Sequence, residues 1–177
     1  MKVMAPIVKF DLAFSLFCLQ HRFSSGFARA SRIVSRTGDG HLYVLIGCLA
    51  YLLDDRYGQA FLLTGILAFI IELPLYWVLK NAFQRRRPHE LSSLVQAFIT
   101  PSDRFSLPSG HTTAGFLMAT LLAHFYPSLT EPAFLWAFSI GIARILLGVH
   151  FFTDVLVGSL LGMGCAQFSL QLSELLS

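Results

Sequence analysis

From residue 59 to residue 79 the chain carries a single charge, Glu72, among otherwise apolar or small side chains. A helix needs roughly 20 mostly apolar residues to cross the ~30 Å hydrocarbon core of a bilayer, so this run commits the chain to a membrane. Further runs at 112–126, 132–149 and 151–172 read as spans. The run 41–53 is short, and it either extends into Thr37-Gly38-Asp39-Gly40 or lies tilted among its neighbours. The stretch 7–19 holds Lys9 and Asp11, so it is a short first span or an interfacial helix. Backbone groups inside hydrocarbon must be satisfied within their own segment, and a helix does this. The expectation is an all-α integral membrane bundle of five or six transmembrane helices with its active site at one membrane interface. It forms a single domain over 1–177: 1–39 gives the short span or interfacial helix and a basic loop, and 40–177 the helical core.

Composition agrees. Of the 177 residues, 55% are hydrophobic, only 13% are charged, and 17 are Phe, whereas soluble domains carry about 25% charged residues. Ten of the 13 Lys and Arg fall in three places: between Arg22 and Arg36, between Lys80 and Arg104, and at Arg144. Apolar runs of bilayer length separate these groups, so no nucleic-acid partner is expected. Cys18, Cys48 and Cys165 sit singly in apolar stretches without metal-ligand spacing, and an odd count does not suit a disulfide framework. They read as packing residues. Lys2 and Lys9 precede an apolar run that contains Asp11, and no small-x-small site follows it, so a removable signal peptide is not expected.

Asp54-Asp55-Arg56 and the stretch 127–132 make tight polar connections, while the long interruption runs from 81 to 110. Within it Leu91, Leu94, Val95, Phe98 and Ile99 recur at helical spacing. That predicts a short helix, either flat on the bilayer or packed on the bundle. Gly158 and Gly162, four apart with Gly164 beyond, read as a close helix–helix contact.

Three polar clusters stand at the ends of predicted spans, where charge is costly and usually functional. Counting alternate crossings puts all three on one side of the bilayer. The first is Lys80 with Arg85-Arg86-Arg87-Pro88; a guanidinium fork matches phosphate oxygens, and an ammonium acts as a mobile point charge. The second is Pro108-Ser109-Gly110-His111, where a good N-cap opens a helix whose first turn favours an anion. The third is Arg144 with His150 and Asp154, the last two four apart and so on one face if helical. A carboxylate holding one ring nitrogen leaves the other free as a nucleophile or base. Singly, these read equally as a basic helix end, a plain cap and a buried His–Asp hydrogen bond.

Together, Lys80-(six residues)-Arg87-Pro88, Pro108-Ser109-Gly110-His111 and Arg144-(five residues)-His150-(three residues)-Asp154 resemble the signature of the type 2 phosphatidic acid phosphatase superfamily. Vanadium haloperoxidases share that signature. The resemblance runs from about residue 59 to the C-terminus, with one departure: Ala143 stands where the third motif usually has Ser. It implies that Lys80, Arg87 and Arg144 hold phosphate oxygens with the Ser109 hydroxyl and the Gly110 N–H. His150 would be the nucleophile, Asp154 would orient it, and His111 would be the acid and then the base. A nucleophile, an acid opposite it and cations around the developing charge are what phosphoryl transfer requires. No metal and no other cofactor is called for.

The resemblance further implies a lipid phosphate as partner: undecaprenyl diphosphate, phosphatidylglycerophosphate or phosphatidate. A phosphotransferase is the alternative, and haloperoxidase chemistry suits soluble chains. Arg85, Arg86 and Arg104 would face lipid head groups rather than a second phosphate. Glu72, near Pro74, would play a structural role, and His89 and His124 none in function. The basic residues gather on the side of the site, which by itself favours the cytoplasm, while the resemblance implies the periplasmic face of a bacterial inner membrane.

Overall fold

A computed structural model describes residues 5–20, 25–101 and 103–176. Among them every regular element is helical: α1 (Ala5–Gln20), α2 (Ser25–Arg36), α3 (Gly40–Leu53), α4 (Gly58–Phe83), the one-turn α5 (Pro88–Leu91), α6 (Gly110–Phe125), α7 (Thr130–Leu146) and α8 (Phe152–Leu176). Lys2 and Arg22 lie outside the described residues. The stretches Gly58–Leu91, Pro127–Leu146 and Phe152–Leu175 are long and apolar enough to cross a membrane by themselves. The helices α3 and α6 are shorter, with 14 and 16 residues. The outward faces of the bundle carry Leu52, Leu53, Ile70, Trp77, Leu135 and Leu160 in the open, the pattern of a surface solvated by lipid.

The centre of the bundle is α6, buried from Thr112 to Leu122 except at Ala114. It is clasped by α7 and α8, with α4 against α6 and α8, α3 on α4, and α2 on α7. The close approach of α8 depends on its glycines. A Cβ at Gly162 would stand 2.1 Å from the Thr113 carbonyl oxygen, and one at Gly158 would stand 2.8 Å from that of Ser109. Gly164, by contrast, faces open space.

Two expectations change here. The basic stretch after α1 is a helix, not a loop: Ala28, Ser31 and Ser35 are buried on the face that meets α7, and Arg29, Arg32 and Arg36 point outward. The apolar stripe from Leu91 to Ile99 is not a helix. Helix α5 ends at Leu91, and the chain beyond it bonds elsewhere, Phe98 N–H donating to the Leu147 carbonyl at 3.0 Å. Val95 is buried where Leu94 is exposed. Tertiary bonding to the 147–151 connection displaces the local helical preference.

Candidate active site

Each cluster is placed by a break in the helices. Lys80 sits in the last turn of α4, and Gln84 closes that helix with a left-handed backbone (φ 45°) and an N–H bond to the Lys80 carbonyl. The turn sends 85–87 back across the bundle. Arg87 is 2% exposed and joins the other segments: it donates to the Val149 carbonyl at 2.6 Å, the Phe105 carbonyl at 3.0 Å and the Asp103 carboxylate at 2.5 Å. Ser109 N–H donates to the Asp154 carbonyl at 3.1 Å. The Ser109 hydroxyl is buried against that of Thr112 at 2.9 Å. Gly110 opens α6 where a Cβ would meet the Tyr76 ring at 3.1 Å.

His150 lies in the connection before α8, not on the helix. The four-residue spacing to Asp154 therefore does not produce the expected face-sharing pair. Nδ1 of His150 donates to the Ser106 carbonyl at 2.8 Å, while the Asp154 carboxylate stands 3.6 Å away. A carbonyl can only accept, so the proton is on Nδ1 and Nε2 keeps its lone pair. Burial pushes the ring well below the usual imidazole range, and Arg144, Arg87 and Lys80 add to this. A neutral ring thus stands among three cations.

Asp154 is anchored from behind. One oxygen accepts the Phe151 N–H at 2.8 Å and the other accepts Arg85 at 2.8 Å. Arg85 in turn pairs with Asp11 of α1 at 2.6 Å and donates to the Thr153 hydroxyl at 2.6 Å. This corrects the head-group expectation for Arg85, which is 7% exposed, whereas Arg86 and Arg104 are exposed. A buried guanidinium needs carboxylates, and Asp11 and Asp154 supply them.

Sequence reading also passed over Asp39, Asp103 and Ser35. Asp39, which precedes α3, bonds Nε2 of His111 at 2.9 Å. The Asp103 carboxylate accepts from Lys80 at 2.8 Å, Tyr76 at 2.9 Å and Arg87. Burial opposes its ionisation, yet the hydrogen bond and charge of Lys80, with Tyr76 and Arg87, hold it below the usual carboxylate range. Asp103 is the lone acid between Glu90 and Glu131, the one signal that might have flagged it. Ser35 of α2 accepts from Arg144 at 2.9 Å. Nε of Arg144 is buried with no hydrogen-bond partner among the described residues.

His111, His150, Arg144 and Asp103 share the head of a cavity of about 750 Å³ that runs between α3 and α4 as far as Phe61 and Leu62. From Leu62 to Tyr76, α4 rises about 21 Å at ~1.5 Å per residue. Beneath the charged head the walls are mostly apolar: Val44, Gly47, Gly65, Ile66 and Phe69. Glu72, expected to be structural, lines it too. No group of three or more His, Cys, Asp or Glu that could hold a metal occurs among the described residues.

The site thus gathers all eight residues expected of it into one end of the bundle: Lys80, Arg87, Ser109, Gly110, His111, Arg144, His150 and Asp154. Residues 56–176 match the family described as "PAP2 superfamily". Phosphatidylglycerophosphatase B of Bacillus subtilis is 35% identical over 109 residues, covering 55% of this chain and 51% of that protein. Curated relatives are matched over 34% to 70% of their own length. Among solved structures, Aquifex aeolicus LpxE superposes with a TM-score of 0.81 at 29% identity, over 92% of this chain and 95% of that one. The PAP2-type phosphatidylglycerolphosphate phosphatase of B. subtilis gives 0.76 at 26%, over 97% and 88%. The two B. subtilis relatives are named as phosphatases, and the chain belongs to the PAP2 superfamily.

Proposed function

We propose that this protein hydrolyses a phosphate monoester or diphosphate on a membrane lipid through a phosphohistidine formed on Nε2 of His150. One observation carries the reading: the lone-pair nitrogen of a buried, neutral histidine stands at the charged head of a cavity whose long remainder is apolar. Phosphate sits among Lys80, Arg87 and Arg144, with the Ser109 hydroxyl and the Gly110 N–H. Nε2 attacks phosphorus in line as the bond to the lipid oxygen breaks. His111 protonates that oxygen, its imidazolium balanced by Asp39. His111 then takes a proton from water, which attacks phosphorus, breaks the N–P bond and releases inorganic phosphate. The Asp154 carboxylate, fixed by Arg85, steadies the ring and the positive charge it develops.

The apolar groove takes the lipid tail, and the candidates are undecaprenyl diphosphate, phosphatidylglycerophosphate and phosphatidate. We place the site on the periplasmic face of a bacterial inner membrane, as the family resemblance suggests. Arg29, Arg32, Arg36 and Arg104 near the site argue for the cytoplasmic face, and a C-terminal reporter active on one side only decides between them. Phosphate release by the purified protein across lipid monophosphates and diphosphates tests the reaction. Label from lipid phosphate should appear as free phosphate. Its appearance on a lipid or sugar acceptor would make the protein a phosphotransferase instead. No release or transfer from any member of the panel overturns the reading.

A further inference from the structure

His111 and Arg144 line two cavities, not one. Besides the groove between α3 and α4, they reach a second cavity of about 240 Å³ between α2 and residues 99–101. Its other polar walls are Arg32, Ser35, Arg36 and Thr100, with Asp39. Three guanidiniums thus face a single carboxylate, and Asp39 is already engaged with His111 at 2.9 Å. The walls are fixed on both sides. Arg32 donates to the Phe98 carbonyl at 2.8 Å, and the Phe98 N–H donates to the Leu147 carbonyl at 3.0 Å. Arg144 is 4% exposed, and its Nε has no hydrogen-bond partner among the described residues.

The proposed reaction makes two products of opposite character. The dephosphorylated lipid returns along the apolar groove. Inorganic phosphate is poorly suited to follow it, because the anion would pass ~21 Å of mostly apolar wall. It needs a polar route that starts at the phosphate-binding groups, and Arg144, common to both cavities, begins one. A planar guanidinium fork matches phosphate oxygens, and Arg32 and Arg36 stand one turn apart on α2. Both lie outside the three motif clusters.

Building on the lipid-phosphatase reading, we propose that the α2 cavity is a binding site for inorganic phosphate, through which this product leaves once the phosphohistidine is hydrolysed. Arg144 passes the anion to Arg32 and Arg36, and the lipid groove takes no part. Phosphate can then sit in the α2 cavity while a lipid occupies the groove.

The test is inhibition of the purified protein by inorganic phosphate, with a lipid monophosphate varied in mixed micelles. Phosphate bound only beside the nucleophile competes with the lipid and is overcome by it. Phosphate in the α2 cavity blocks release whether or not lipid is bound, so a second component of inhibition should persist at saturating lipid. Arg32→Gln combined with Arg36→Gln should weaken that component about tenfold, as lost hydrogen bonds between charged groups allow, and leave the competitive one within about twofold. Arg29→Gln removes a charge from the same helix outside the cavity and should change neither. Inhibition constants do not depend on how much of a variant folds. Purely competitive inhibition of the wild type overturns the exit site while the phosphatase reading stands. So does a persistent component that the double variant leaves intact, or that Arg29→Gln weakens equally. A loss of kcat/KM confined to lipid diphosphates, with phosphate inhibition unchanged, overturns it too and assigns the cavity to a second phosphoryl group of the substrate. Release from no lipid phosphate by the wild type overturns the phosphatase reading and this one with it.

Discussion

The two ends of the cavity are built on opposite principles. At its head each charged side chain is held by several others: Arg87 by three backbone carbonyls and a carboxylate, Arg85 by two carboxylates and a hydroxyl. Along the groove the walls are mostly apolar, and the buried Tyr43 hydroxyl there has no hydrogen-bond partner among the described residues. The head is organised without a ligand, and on the proposed reading this preorganisation would stabilise charge developing at phosphorus. On the same reading the groove would take the lipid tail, so that chemistry is fixed at one end and choice of substrate exercised at the other.

The sharpest way to break this comparison is at the nucleophile. His150→Ala should lower phosphate release by about 10³-fold or more, and radiolabel from substrate should no longer be trapped on protein. Near-normal release would remove His150 from the mechanism. Next in size is Arg85→Met, which strands the buried carboxylates of Asp11 and Asp154. It should cost about 3–5 kcal/mol, read as a lower midpoint of thermal unfolding in detergent. If the midpoint holds, the head is less tightly bound than its geometry says.

The groove is probed with Gly65→Leu, whose new side chain enters the tail path. Long-chain lipid phosphates should lose about tenfold in kcat/KM, whereas a short-chain, water-soluble phosphate ester should lose little. Equal losses on both would place the tail elsewhere. Ser35→Ala removes the hydroxyl that holds Arg144 and should raise KM by up to about tenfold, with a smaller change in kcat.

The smallest effect is on pH. His150 stays neutral in the folded protein because its pKa is pushed down, whereas the unfolded chain takes up a proton near the ordinary value of ~6.5. Stability should therefore fall as pH drops below ~6.5. The loss of unfolding midpoint between pH 7.5 and pH 5.5 should shrink in His150→Asn.

That these eight residues belong together was legible in the sequence, because their types and spacing match a family signature. The spacing between such groups survives without any three-dimensional information. What supports them was not legible. Asp11 meets Arg85 across 74 positions and Ser35 meets Arg144 across 109, and no local pattern announces such pairs. The stripe from Leu91 to Ile99 misled for a related reason: helical spacing records which side chains are apolar, not which backbone donors are captured by a distant carbonyl such as Leu147. His150 and Asp154 misled in the opposite direction. Their spacing was correct for a helix, but the helix starts two residues too late.

Asp11, Ser35 and Asp39 share one further property: all three precede residue 56, where the match to the family begins. One partner each of Arg85, Arg144 and His111 therefore comes from a segment that carries none of the recognised motifs. A graft that exchanged residues 1–55 with those of a relative would keep every motif letter in place. It would nevertheless replace the carboxylate behind Arg85, the hydroxyl under Arg144 and the carboxylate beside His111. Inheritance of the motifs and inheritance of a working site are, in this chain, separable events.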